Sequence, residues 1–419
     1  MIKFIYSVLA SVLHDAQSVE KLFSAYETFF SRLGGGRQET PLPDQRFRCL
    51  FILTGGTEGA ALRAHEGSMP TIVVAHPRHN SLPAALEIVA KIRREGGVSF
   101  LVFARSPDDR AALGSMEEYL DVFCALDKLK RTRIGAVGEA SDWLVASNHG
   151  PEICREAWGV ELVRIPIQAL RDGILEQALA EASLNVGELF EKAEYCREAT
   201  KGDLAVSETI YRRLLALAVG HRLDALTLRC FDLVAGEGAT GCYALSRLAD
   251  EGIDAGCEGD IPSIIGLVWM RALSGRVGWM ANPSDIEFEG DTARLLLAHC
   301  TVPRGLLSSY GVRSHFESGL GVAIAGTFAV GERAEGEVTL VRIGGEGLNQ
   351  LWVAEGRLVE SPSLEGLCRT QAKVEISRKD GESLMENPLG NHIVMGLGHH
   401  GAKARNYLKI ARQVQTKKS

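Results

Sequence analysis

Short apolar runs alternate with helix-period segments through roughly the first 170 residues, and that alternation constrains the fold more than any other feature. Candidate strands fall at 2–9, 48–53, 71–75, 98–104 and 133–137. Between them, 81–95 places Leu82, Ala85, Ile88, Val89 and Ile92 on one helical face. This pattern predicts an open, largely parallel sheet. A polar connector, Arg171-Asp172-Gly173, opens a helix-rich stretch over 174–221. A second βαβ region follows, with strands at 224–231, 253–257 and 277–281 and helices over 240–251 and 261–273. From residue 286 the period changes. Alternating segments at 292–298, 320–326, 337–343, 349–354, 357–360 and 372–377, parted by Gly and charged turns, predict an antiparallel sheet or barrel. A helical pattern over 401–414 ends the chain, and no internal repeat is present.

Gross properties narrow the function. At 419 residues the chain is long enough for two or three cores. A net charge of −7 argues against a nucleic-acid scaffold, which needs a basic face. The nine cysteines are scattered without a C-x-x-C pair, so they read as reduced thiols and the protein as cytoplasmic. The apolar N-terminus runs straight into His14 and Asp15 without a small-residue cleavage site, which favours a first strand over a signal peptide. No stretch approaches the ~20 apolar residues of a membrane span.

Gly236-Glu237-Gly238-Ala239-Thr240-Gly241 matches G-x-G-x-x-G between a strand and a helix. Glu237 would repel a phosphate there, so a tight turn lining a polar pocket is the better reading than a dinucleotide site. Farther on, Cys257-Glu258-Gly259-Asp260 ends a strand. Asp260 and Pro262 read as a helix N-cap and first-turn proline. Glu258 has no such local reason to exist. Strands disfavour Glu, and open sheets bind ligands at the carboxyl ends of their strands. A salt bridge to an arginine is its bland alternative. Asn282-Pro283 reads as a turn, and either Asn282 or Asp285 offers an oxygen ligand; Asp285 serves equally well as a turn residue. His299 at a strand end has the profile of a satisfied core histidine. His315 and Glu317 share one side of an extended segment. His392 and the pair His399-His400 lie in Gly-bounded clusters, and one ligand among them is expected. Two carboxylates with one or two imidazoles suit Mn²⁺ or Mg²⁺. Such an ion would let a carboxylate move a proton between C1 and C2 of a sugar.

These residues resemble the L-fucose isomerase / L-arabinose isomerase superfamily, and its shorter fucose-isomerase-like members in particular. In the first part the resemblance rests on Asn80 to Glu87, Arg133 to Gly135 and Gly138 to Leu144. Later it rests on Gly236-Glu237-Gly238, Cys257 to Asp260, Ala298-His299-Cys300, Ser314 to Glu317, Cys368 to Gln371 and Gly390-Asn391-His392. It implies two Rossmann-like parallel-sheet α/β domains, 1–171 and 172–288, then a C-terminal antiparallel β-barrel domain over 289–419. It implies a Mn²⁺-dependent aldose–ketose isomerase of a pentose, hexose or deoxy sugar, with Mg²⁺ or Co²⁺ as alternative ions, working as a homo-oligomer, trimer or hexamer. Metal ligands would be Glu258, Asp285 and His392, with Glu258 and Asp285 also transferring protons. His299, His315, Glu317, Arg369 and Asn282 would line the sugar site. The sequence departs from the family at the second acid: the ungapped equivalent is Asn282, and Asp285 matches only if the loop shifts. That departure motivates the alternative of a non-catalytic carbohydrate-binding or regulatory protein on the same scaffold. An NAD oxidoreductase stands last.

Overall fold

The computed structural model describes residues 3–38, 42, 45–65, 69–174, 177, 187–330 and 336–415. Residues 175–176 and 178–186 of the expected helix-rich stretch lie outside them. The chain divides into two compact units, Met1–Asp127 with Ala402–Ser419, and Lys128–Gly401. Among the described residues no helix is long and apolar enough to cross a membrane.

The first unit holds β1 (Phe4–Leu9), β2 (Gly35–Arg37), β3 (Arg48–Ile52), β4 (Thr71–Ala75) and β5 (Ser99–Phe103), in the order β2-β1-β3-β4-β5 and parallel throughout. Both faces of β4 are buried, as its unbroken Thr-Ile-Val-Val-Ala run requires. The helix Ser81–Arg94 packs Ala84, Ala85, Ile88 and Ile92 against Leu50, Ile52, Val73 and Ala75. The terminal helix Gly401–Gln415 was expected to close the C-terminal domain. Its residues from Ala402 on belong instead with the first unit, where Lys403 pairs with Asp121 at 2.6 Å on the helix Arg110–Arg131. Periodicity predicts a helix but not which core receives it.

The second unit begins with β6 (Arg133–Val137), β7 (Glu161–Ile165), β8 (Ala225–Leu228) and β9 (Asp254–Cys257), a parallel sheet in the order β7-β6-β8-β9. The boundary expected at 171/172 therefore falls inside this sheet, because β7 pairs with β6 and β6 with β8 rather than with the first sheet. The G-x-G-x-x-G segment does not bridge strand to helix. A helix, Phe231–Glu237, intervenes after β8; Gly238 caps it at φ +62°, and Glu237 pairs with Arg171 at 2.9 Å. Only then does the helix Cys242–Asp250 start, so the glycines do not form a phosphate-cradling turn.

Downstream, β10 (Trp279–Glu289) and β11 (Thr292–His299) begin a barrel. A separate two-stranded ladder follows, β12 (Ser309–Arg313) with β13 (Ala323–Thr327). Then β14 (Glu337–Gly344), β15 (Gln350–Glu360), β16 (Thr370–Ser377) and β17 (Ile393–Leu397) close the barrel in the order β10-β11-β16-β15-β14-β17. Alternate residues such as Leu295, Leu297, Leu340, Val374 and Ile376 fill one continuous core. The Asn282-Pro283 turn does not exist. The strand runs through it, with a bulge between Pro283 and Asp285 absorbing a proline that cannot donate to the ladder. Likewise 349–354 and 357–360 form one strand, with a bulge between Leu358 and Glu360.

The helix Ile261–Ser274 lies between β8 and β9 on one side and the outer face of β14 and β17 on the other. That placement explains why it is apolar nearly all round. It also brings the carboxyl edge of the second sheet up against one end of the barrel.

Candidate metal centre

Glu258 follows β9, His299 ends β11 and His392 immediately precedes β17. One donor atom from each lies within 4.8 Å of the others, and all three residues are buried. His392 Nε2 approaches Glu258 Oε1 at 3.4 Å without making a hydrogen bond. His299 Nδ1 is also buried without a hydrogen-bond partner. Two buried imidazoles and a carboxylate gathered this closely form a donor set that could hold a divalent cation.

The backbone at Glu258 is unusual. Its φ is +63°, a left-handed conformation that costs a non-glycine residue about 1 kcal/mol or more. Gly259 continues the corner at φ +70°, and a Cβ there would sit 2.6 Å from the Glu139 carbonyl oxygen and 2.7 Å from Ala140 Cα. Two backbone bonds hold the corner: Ser141 N–H to the Glu258 carbonyl at 2.8 Å, and Gly259 N–H to the Leu228 carbonyl at 3.1 Å. This packing keeps Glu258 at the strand end rather than swept into the following helix. The indole N–H of Trp143 donates to Glu258 Oε2 at 2.6 Å.

Behind His392 stands Asp260. It caps the helix Ile261–Ser274 by accepting from Ser263 N–H at 2.8 Å, the role expected from the sequence. It also meets His392 Nδ1 at 2.9 Å and Arg342 at 3.2 Å. Sequence reasoning missed this second role, because its partners lie 132 and 82 residues away.

The electrostatics follow from these contacts. Burial disfavours charge on Asp260, but Arg342 and His392 outweigh it and hold its carboxyl well below the usual range. Burial likewise opposes the Glu258 carboxylate, and His392, His299 and Trp143 together leave its pKa lowered. Burial, aided by His392, pushes His299 down to about 3, so it is neutral. For His392 burial loses to Asp260 and Glu258, which lift it to about 9.

Glu258 and His299 line a cavity of about 500 Å³, and His392 lies buried behind them, next to the lining residue Asn391. Asn282, Ser284, Asn391, Thr240, His315 and Glu317 supply its polar lining, and Phe231, Val234, Phe316, Leu367 and five thiols its apolar side. All nine cysteines are free. His315 and Glu317 come from a turn rather than from an extended strand, yet both reach the cavity. Burial and the nearby Arg369 lower the His315 pKa against an opposing pull from Glu258, favouring neutral imidazole.

Two expected site residues lie elsewhere. Asp285 is exposed, accepts from the Ile286 N–H at 2.8 Å and does not line the cavity; Asn282 and the bulge residue Ser284 take that side of β10. His299, expected beside the sugar or in the core, stands in the ligand cluster where Asp285 was expected. Arg369 does not line the cavity either; its Nε–H donates to the Ser314 carbonyl at 2.9 Å. His400 binds the Leu397 carbonyl, and His399 sits 4.0 Å from Glu337.

No family model matches the chain. Over 175 residues, 41% of its length, it is 25% identical to proteins named sulfoquinovose isomerase from Priestia aryabhattai and Priestia megaterium. The matched region spans 38% of those relatives. The chain is thus similar, over part of its length, to a sugar isomerase.

Proposed function

We propose that this chain is a metal-dependent aldose–ketose isomerase of the fucose/arabinose type, acting on an uncharged pentose, hexose or deoxy sugar through an enediol. The observation that carries the reading is the convergence of Glu258, His299 and His392 beside the cavity, with His299 Nδ1 and His392 Nε2 buried and without a hydrogen bond. The partial similarity to sugar isomerases supports it.

The donor set, one carboxylate and two imidazoles, suits Mn²⁺ and Co²⁺ and also admits Zn²⁺, whereas Mg²⁺ prefers oxygen. A divalent ion held there would polarise the substrate carbonyl and acidify the neighbouring C–H. The rest falls to the chain itself. Asn282, Asn391 and Ser284 offer amide and hydroxyl partners to sugar hydroxyls. Neutral His315 is the group best suited to accept and return the proton, since Asp285 lies outside the cavity. Phe231 and Phe316 exclude water from the reacting carbons. Among the described lining residues Glu258 and Glu317 are acidic and none is Lys or Arg. A sulfo- or phospho-sugar would set its anion against carboxylates, so an uncharged substrate is favoured.

The test is to strip the protein with chelator, reload it with Mn²⁺, Co²⁺, Zn²⁺ or Mg²⁺, and follow ketose formation from L-fucose, L-arabinose, other aldoses and sulfoquinovose. Glu258→Gln should abolish turnover and lower metal content. Unchanged turnover and metal in that variant would remove Glu258 from the mechanism. A homo-oligomer, trimer or hexamer, belongs to the same reading and is checked by light scattering.

One observation favours a second reading, sugar binding without turnover: Asn282 occupies the cavity where a second acid is expected. It predicts sugar-induced thermal stabilisation. Exchange of the substrate C2 proton with solvent would exclude it.

A further inference from the structure

Trp143 has no role in the chemistry described so far, yet its indole N–H bonds the ligand Glu258 directly. It lies in the irregular segment after β6 and is 52% exposed. The other four tryptophans, Trp158, Trp269, Trp279 and Trp352, are buried. Large exposed indoles are uncommon, and this one lines the cavity. Its ring stands edge-on to Phe231, with centroids 5.0 Å apart at 87°, which fixes its tilt.

The two oxygens of Glu258 are not equivalent. Oε2 accepts the Trp143 N–H at 2.6 Å, while Oε1 faces His392 Nε2 at 3.4 Å. An indole nitrogen can only donate, so it secures the ionised carboxylate and cannot compete with it for a proton or a cation. The same segment grips the Glu258 backbone through Ser141, and Asp142 is anchored to Arg229 at 3.0 Å. The loop therefore holds the glutamate at its main chain and at one carboxylate oxygen.

We propose that Trp143 is a positioning residue that aims Glu258, reserving Oε1 for the cation and turning its exposed ring face toward the sugar. This rests on the metal-isomerase reading. It goes further in assigning Glu258 a one-oxygen ligand role and in naming the aromatic surface against which the C–H face of the substrate lies. An outer partner of this kind shapes affinity, since the loss of a hydrogen bond to a ligand side chain lowers metal binding about 10- to 100-fold.

The test separates the N–H from the ring. Trp143→Phe keeps an aromatic face and loses the donor; Trp143→Leu loses both. In calorimetry on the full chain, Mn²⁺ should bind at least about tenfold more weakly to Trp143→Phe, at an unchanged thermal midpoint. Trp143→Leu should add a rise in KM beyond that of Trp143→Phe at equal kcat. A second measurement needs neither metal nor turnover. Trp143 is the tryptophan that acrylamide reaches, and Glu258→Leu should shift its emission in wild type but not in a Trp143→Phe background.

Mn²⁺ affinity within twofold of wild type in folded Trp143→Phe, or an emission spectrum blind to Glu258→Leu, would overturn the proposal. The failure of the metal reading looks different. Wild type would then bind no metal and form no ketose, while the emission shift with Glu258→Leu would still report the indole–carboxylate bond.

Discussion

His392 Nδ1 stands 2.9 Å from Asp260 Oδ2, so the ring meets the same carboxylate that caps the helix Ile261–Ser274. Ionised Asp260 can only accept, which keeps a ring proton on Nδ1, so that a cation displacing the other proton would meet the Nε2 lone pair on the side of Glu258. The helix start and the ligand orientation thus depend on one side chain. Asp260→Asn separates the two functions, because asparagine caps a helix about as well as aspartate but binds the imidazole less firmly. Metal affinity should fall about 10- to 100-fold with little change in helix content. Calorimetric titration with Mn²⁺ alongside circular dichroism checks both halves.

Arg342 supplies the countercharge. It is 2% exposed and donates to Asp260 at 3.2 Å, Ser263 Oγ at 2.7 Å, Ser147 Oγ at 2.6 Å and the Leu389 carbonyl at 3.2 Å. Breaking a buried pair from one side leaves the other charge without water or partner. Arg342→Met should therefore cost about 3–5 kcal/mol in urea unfolding. The double variant Arg342→Met/Asp260→Asn should recover part of that loss, because the stranded carboxylate is gone. A loss under about 1 kcal/mol in the single variant would mean that Asp260 is satisfied without the arginine.

The parallel strands were legible in the sequence because a strand buried on both faces leaves an unbroken apolar run, as in Thr71–Ala75. Glu258 was legible for the opposite reason, as a charge where strand and burial both oppose one. The relay behind His392 was not, since nothing local to Asp260 distinguishes a cap from a cap that also orients a ring. Asp285 misled because the bulge at Pro283–Asp285 changes which residues face inward, and sequence alone does not place bulges. Trp143 fell within the segment Gly138–Leu144 that carried the family resemblance, but neither spacing nor composition assigned it a partner.

His315 is one of the cavity's titrating groups. Burial and Arg369 depress its pKa, against a weaker opposing effect of Glu258. With the folded value below the unfolded one of ~6.5, the unfolded chain takes up the proton first as pH falls. The stability tied to neutral His315 is accordingly present above about pH 6.5 and lost as pH falls through the folded value. If His315 transfers the proton, the acid limb of kcat/KM lies below the ordinary imidazole range. Arg369→Met removes a depressing charge and should move that limb upward. NMR titration of the His315 ring should shift in the same direction, and a limb indifferent to Arg369 would exclude His315 as the titrating group.

Asp285 and Asn282 offer the sharpest contrast along one strand. Asp285 faces solvent and accepts its neighbour's N–H, whereas Asn282 lines the cavity and pairs with Ala298, next to His299. Asp285→Asn should leave Mn²⁺ affinity and turnover unchanged and alter stability by no more than about 0.5 kcal/mol, as for an exposed position without buried partners. Asn282→Asp would instead add a negative charge to a cavity already holding Glu258 and Glu317. With metal bound, that carboxylate has a cation to face, and affinity should rise; without metal it meets only like charge, and the thermal midpoint should fall. Melting curves with and without Mn²⁺ read the two signs at once. A Mn²⁺ affinity that collapses in Asp285→Asn would return the second acid to the centre.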